Sequence, residues 1–178
     1  MDIKGLDSEF IKSLWSTLYR KSSSLYTVRR AFGKSLNEND VSVFMSFLDV
    51  SNGYYIDKYK DIYFLVASMF YTVERPSDTE DNNKKYIKFE KLLGRIYGKS
   101  KSTDKTISAF IDSCFDANGI FVNRFVRLVS RCKKELVGNE HIDFSSLLYD
   151  LKHWNDEDKN VKYTWAKSIV LNKSKTEE

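Results

Sequence analysis

The side chains with reactive chemistry in this sequence are few, and they are poorly placed for catalysis. His141 and His153 are the two histidines, and neither has a Cys, His or carboxylate at metal-ligand spacing. Cys114 and Cys132 are the two cysteines; two thiols make no disulfide framework, and their separation fits no zinc motif. Both lie within apolar helical patterns, so each reads as a buried reduced thiol. There is no Gly-rich phosphate loop, no Gly-x-Ser-x-Gly and no Asp-x-Asp cluster for a divalent metal. The acidic run Asp156-Glu157-Asp158 reads as the first turn of the last helix, where carboxylates suit the helix dipole. The expectation is a protein with no catalytic residues, no metal and no cofactor, and therefore not an enzyme.

The basic residues are more informative. The net charge is +4, from 29 basic and 25 acidic side chains, but the positive charge gathers in three blocks. Between Phe10 and Asn37 there is no acid, while Lys12, Arg20, Lys21, Arg29, Arg30 and Lys34 are present. The second block holds Lys84, Lys85, Lys88, Lys91, Arg95, Lys99, Lys101 and Lys105 against Glu90 and Asp104 alone. The third holds Arg124, Arg127, Arg131, Lys133 and Lys134 with no acid before Glu135. At 100° per residue, Phe121, Phe125, Leu128, Cys132 and Leu136 share one face of a helix, and Arg124, Arg127, Arg131 and Lys134 share the opposite one. Four like charges at helical spacing cost stability unless a polyanion neutralises them. The candidate nucleic-acid contacts are therefore Arg29, Arg30, Lys34, Lys84, Lys85, Lys88, Lys91, Arg95, Lys101, Lys105, Arg124, Arg127, Arg131 and Lys134. Contacts of this kind follow a phosphate backbone without reading bases. Tyr86 and Tyr97 have two readings, as stacking platforms for bases or as core aromatics.

The elements that must carry these residues are helices. One Pro and seven Gly are too few for a turn-rich β-sandwich, and twelve Phe with eleven Tyr supply an ample core. Apolar spacing predicts helices over about Asp7–Lys21, with Asp7 or Ser8 as N-cap, then around Leu25–Phe32, Asp40–Asp49 and Lys58–Val73. A polar run from Glu74 to Lys85, containing Pro76, reads as loop and marks the best domain boundary. Further helices are expected near Tyr86–Tyr97, Thr103–Asp116, Phe121–Val137, Asp143–Trp154 and Asp158–Leu171. The domain reading is an N-terminal lobe over 1–74, a flexible loop over 75–85, a C-terminal lobe over 86–172 and a disordered tail over 173–178. The fold class is all-α, with eight to nine helices in two lobes. No run of apolar residues is long enough for a membrane span, and the start resembles no secretory signal, so a cytoplasmic protein is expected.

Several stretches occur in a telling order: Thr27-Val28-Arg29-Arg30-Ala31-Phe32-Gly33, Tyr63 to Phe70, and Phe89 to Arg95. Then come Phe125-Val126-Arg127-Leu128-Val129, Ile142 to Leu151, Trp154 and Trp165-Ala166. Together they resemble the CasB family, the small subunit of the type I-E CRISPR Cascade surveillance complex of bacteria. The resemblance runs from about Phe10 to Leu171. It implies an all-α, two-lobed, non-catalytic subunit that acts as a homodimer beside other Cascade subunits. It also implies contact with guide RNA and with single-stranded or R-loop DNA in antiviral defence, helping to hold the displaced strand. The family's basic residues fall here on Arg29, Arg30, Arg95 and Arg127. The chain departs from the family at Phe125-Val126-Arg127, where Leu-Arg-Arg is common, and at Ser108-Ala109-Phe110, where an Arg pair precedes the Phe. Arg124 or Arg131 stands in at the first, and Lys101 and Lys105 at the second. The alternative reading is a protein–protein scaffold whose basic faces dock on acidic neighbours.

Overall fold

In the computed structural model the described residues are 3–75, 84–117 and 119–173. They form nine α-helices and two three-residue strands. The chain divides into two compact units, Met1–Asp81 and Asn82–Glu178. Residues 76–83 and 174–178, where most of the expected loop and tail fall, lie outside the described residues.

The first unit holds α1 (Ile3–Arg20), α2 (Ser23–Arg30), α3 (Val41–Ser51) and α4 (Lys60–Val73). Helix α4 is apolar all round, and every residue from Ile62 to Val73 except Thr72 is buried. A helix of that composition must be the centre of its bundle, and α1, α2 and α3 all pack on it. From α1, Phe10, Leu14 and Leu18 turn inward. Phe10 meets the Tyr63 ring edge-on at 4.9 Å, and Trp15 meets Phe70 in the same way at 4.8 Å. Asp7 is not the N-cap that its position ahead of the apolar run suggests. Helix α1 already begins at Ile3, and the buried Asp7 carboxylate accepts a hydrogen bond from the Tyr63 hydroxyl. Helices α2 and α3 start as side-chain caps dictate: Ser22 accepts from the Ser24 amide, and Asp40 from the Val43 amide.

The second unit holds α5 (Phe89–Ile96), α6 (Lys101–Ile111), α7 (Ile120–Cys132), α8 (Phe144–Lys152) and α9 (Val161–Leu171). Its core is aromatic. The Phe110 ring lies 4.7 Å from Phe121, 5.8 Å from Phe125, 5.1 Å from Trp154 and 6.1 Å from Trp165, centroid to centroid. Both indoles keep their N–H groups bonded, Trp154 to the Ser113 carbonyl at 2.9 Å and Trp165 to Asp150 at 2.7 Å. Helix α5 lies against α9 at Gly94, where an added Cβ would sit 2.7 Å from Asn172 Cβ and 2.9 Å from the Ile169 carbonyl oxygen.

Four local expectations change. The helix expected from Tyr86 begins at Phe89, because Lys85–Ile87 forms strand β1, paired in parallel with β2 (Glu140–Ile142). Helix α7 ends at Cys132, and Lys133–Glu135 continues as a tighter 3-10 turn. Helix α6 ends at Ile111, so Cys114 falls in the following loop and is exposed, whereas Cys132 is buried as expected. The acidic run likewise opens a separate 3-10 turn, Glu157–Lys159, ahead of α9. Among the described residues no helix is long and apolar enough to cross a membrane.

Candidate nucleic-acid interface

The basic residues separate by what their charges touch. Arg95, on α5, spreads its guanidinium against Glu140 in a two-pronged pair, with Nη1 2.6 Å from Oε2 and Nη2 2.9 Å from Oε1. Nη1 also donates to the Glu135 carbonyl at 2.8 Å. Lys85 Nζ reaches the same carboxylate at 3.2 Å. The Arg95 hydrogen bonds, with help from Lys85, hold Glu140 down at a pKa of about 2. Charge-assisted bonds of this geometry pin a side chain in place, so Arg95 and Lys85 act here as clamps on β2. Lys99 is paired with Glu135 at 2.7 Å. Lys88 precedes α5, where its charge opposes the burial that raises the carboxyl pKa of Glu90 and Asp150. Lys84 and Lys91 flank this clamp region, Lys84 just before β1 and Lys91 exposed on α5.

The expected stripe on α7 is not one solvated face. Arg124 and Arg131 are half-buried and turn toward α6. Arg124 Nη1 donates to the Ala109 carbonyl at 2.7 Å, and Arg131 Nη1 to Thr103 Oγ1 at 2.6 Å. Lys134 is exposed but sits beyond the helix end, off the helical spacing. Arg127 remains exposed on α7.

What the structure brings together instead is a groove between α6 and α7. It is lined by Lys101, Ser102, Lys105, Thr106, Ala109, Arg124 and Arg127. Four cations from two helices face one open concavity, and among the described residues no acidic side chain lines it. Among the described residues none of the four makes an ion pair. Ala109 is small, and its carbonyl anchors Arg124, which fixes one cation at the edge of the groove. The groove meets the requirement of a sequence-blind phosphate track, since several cations are held within one surface without internal neutralisation. The two departures from the family pattern, at Val126 and at Ser108-Ala109, both fall on the helices that form it.

In the first unit, Arg29 and Arg30 are exposed at the end of α2, and Lys34 is exposed shortly after it. Arg29 and Arg30, without Lys34, share a shallow concavity with Tyr26, Phe32 and Thr72. Tyr26 is not among the residues that charge or helical spacing singles out. Its signal is three-dimensional, a large aromatic left 52% exposed beside two guanidinium groups. Of the two tyrosines with open readings, Tyr86 is 54% exposed, and Tyr97 is half-buried beneath Lys173, whose Nζ is 5.8 Å from the ring. Among the described residues no group of three or more His, Cys, Asp or Glu is arranged to hold a metal ion.

The described residues make an all-α fold, nine helices with two short strands. A chain of a "CRISPR RNA-guided surveillance complex" superposes with a TM-score of 0.69 at 17% identity, over 96% of this chain and 95% of that one. CasB from M. ruber gives 0.61 at 22% identity, over 92% and 91%. A Cse2-family CRISPR-associated protein from Thermus thermophilus gives 0.61 at 18% identity, over 92% and 96%. At these identities the likeness establishes the fold. The sequence model for the CRISPR-associated protein Cse2 matches residues 25–168, and the chain belongs to the Cse2 family. Curated proteins compared by sequence yielded no match.

Proposed function

We propose that this chain is a non-catalytic small subunit of a CRISPR RNA-guided surveillance complex, binding nucleic acid by its phosphate backbone through the α6–α7 groove. The carrying observation is the set of Lys101, Lys105, Arg124 and Arg127 around one concavity with no acid among its described lining residues. Family membership and the likeness to a surveillance-complex chain support the setting. Exchanging a DNA duplex for a guide–target heteroduplex is close to neutral in energy, so backbone contacts that hold the displaced strand tip it toward opening. A groove without base-reading geometry suits that task, because the displaced strand differs with every target. In this reading the partners are the other subunits of the complex, guide RNA, the displaced strand and a second copy of the chain.

The test replaces the three exposed cations, Lys101→Glu, Lys105→Glu and Arg127→Glu together, and leaves Arg124 and Arg131 to hold α6 against α7. Binding of a labelled single strand to the full chain is titrated at several salt concentrations. The expected result is at least tenfold weaker binding at about 50 mM salt, with the salt slope reduced by about 2, near the roughly 0.7 per contact typical of single strands. Helicity by circular dichroism should be unchanged. Affinity and slope equal to those of the unsubstituted protein would remove the groove as the contact surface.

A further inference from the structure

The α2 face contains a feature that phosphate binding does not require. Tyr26, Arg29 and Arg30 stand at i, i+3 and i+4, so they share one side of the helix. Leu25 and Val28 are turned into the core. Tyr26 is 52% exposed, and half-buried Phe32, just after α2, and Thr72, on α4, complete the concavity beside it. Two guanidinium groups rim this hollow, and among the described residues neither makes an ion pair and no acid lines it. An exposed Tyr beside unneutralised cations has a specific use. The ring offers a flat π-face to a base while the guanidinium groups meet the phosphate on either side. A base in a duplex has both faces covered by its neighbours, so the ligand that fits is an unpaired nucleotide.

We infer that Tyr26, with Arg29 and Arg30, forms a base-stacking subsite for an unpaired nucleotide of a single strand. The inference rests on the nucleic-acid reading above and adds to it a preference for single strands over duplex. The subsite is blind to base identity, because every base has a π-face.

The experiment compares a fluorescent oligodeoxythymidylate with an oligomer of abasic sites of equal length, each titrated against the full chain at low salt. Tyr26→Ala should weaken binding of the base-bearing strand by about fivefold or more, the range of one lost stacking contact. Binding of the abasic strand should stay the same, and Tyr26→Trp should keep the affinity for the base-bearing strand. Tyr26 is exposed, so truncation leaves the core intact, which unchanged melting verifies. An unchanged affinity for oligodeoxythymidylate, or an equal loss on the abasic strand, overturns the subsite. If the groove variant binds both polymers as well as the unsubstituted chain while Tyr26→Ala shows its selective loss, the groove fails and the subsite stands. If the unsubstituted chain binds neither polymer, both readings fall together.

Discussion

The guanidinium of Arg95 and the carboxylate of Glu140 meet through two parallel bonds, at 2.6 and 2.9 Å, across 45 positions of sequence. The pair ties α5 to the strand β2. Since the Glu140 side chain is 7% exposed, breaking the pair leaves a carboxylate with little water and only Lys85 and the Val137 amide to replace its main partner. Arg95→Met should lower the unfolding free energy by about 1–3 kcal/mol, the usual cost of removing one partner of a buried hydrogen-bonded group. Single-strand affinity should change little, in contrast to Arg127→Glu. A variant that kept its stability and lost binding would restore Arg95 to the interface.

The same pair sets a pH dependence. Glu140 titrates at about 2 in the folded chain, against an ordinary value of 4.5, because the ionised form is the one Arg95 holds. A carboxyl with a lowered folded pKa contributes stability that is complete above its unfolded value and fades as pH falls toward the folded one. The loss should therefore fall between about pH 4.5 and pH 2. Urea midpoints of the unsubstituted chain and Glu140→Gln should converge across that window and stay apart above it. A constant difference from pH 6 to pH 2 would contradict the assignment.

Gly94 offers a second test of packing. Alanine is the better helix former by about 1 kcal/mol at an unconstrained site. Here the new methyl would meet Asn172 and the Ile169 carbonyl at under 3.0 Å, and the carbonyl is backbone that cannot swing away. Gly94→Ala should destabilise the protein and lower its melting temperature, and a rise would show that α5 and α9 are less closely apposed.

The aromatic core of the second unit should be sensitive to truncation. Phe110 is fully buried among Phe121, Phe125, Trp154 and Trp165. Phe110→Ala should cost about 3–5 kcal/mol through lost contacts and the cavity left behind. Trp fluorescence should report the change, since both indoles face the same ring. A loss below 1 kcal/mol in denaturant titration would mean the cluster collapses to fill the gap.

The two thiols should differ in reactivity. Cys114 is exposed in the loop after α6, while burial pushes the Cys132 thiol well above the usual range. A thiolate is the reactive form, so one equivalent of thiol reagent should add quickly to the native chain. The second should wait for denaturant, and Cys114→Ser should abolish the fast phase. Two fast equivalents from the native protein would contradict the burial of Cys132.

The helical class and the approximate course of α1 to α9 were legible from apolar spacing alone, because a helix facing a core must repeat its buried residues every three to four positions. The resemblance to CasB, carried by ordered segments, agrees with the Cse2 family match over residues 25–168. Strands β1 and β2 were not legible: three residues are too few for alternation to register, and their partner lies 55 positions away. The ends of α6 and α7 also escaped, which moved Cys114 to the surface and Lys134 off its stripe.

By itself, then, the sequence determined where positive charge concentrates and which helices carry it. Charge blocks are a property of neighbours along the chain, so composition reveals them. Whether a given cation is spent on the protein's own carboxylates depends on neighbours in space. Arg95 and Lys85 belong to the same basic block as Lys101 and Lys105. Folding brings Glu140 to the first pair and leaves the second facing Arg124 and Arg127 across an open groove. Tertiary structure alone separated the cations that hold the fold from those left facing solvent, because an ion pair is made by distance and burial rather than by sequence.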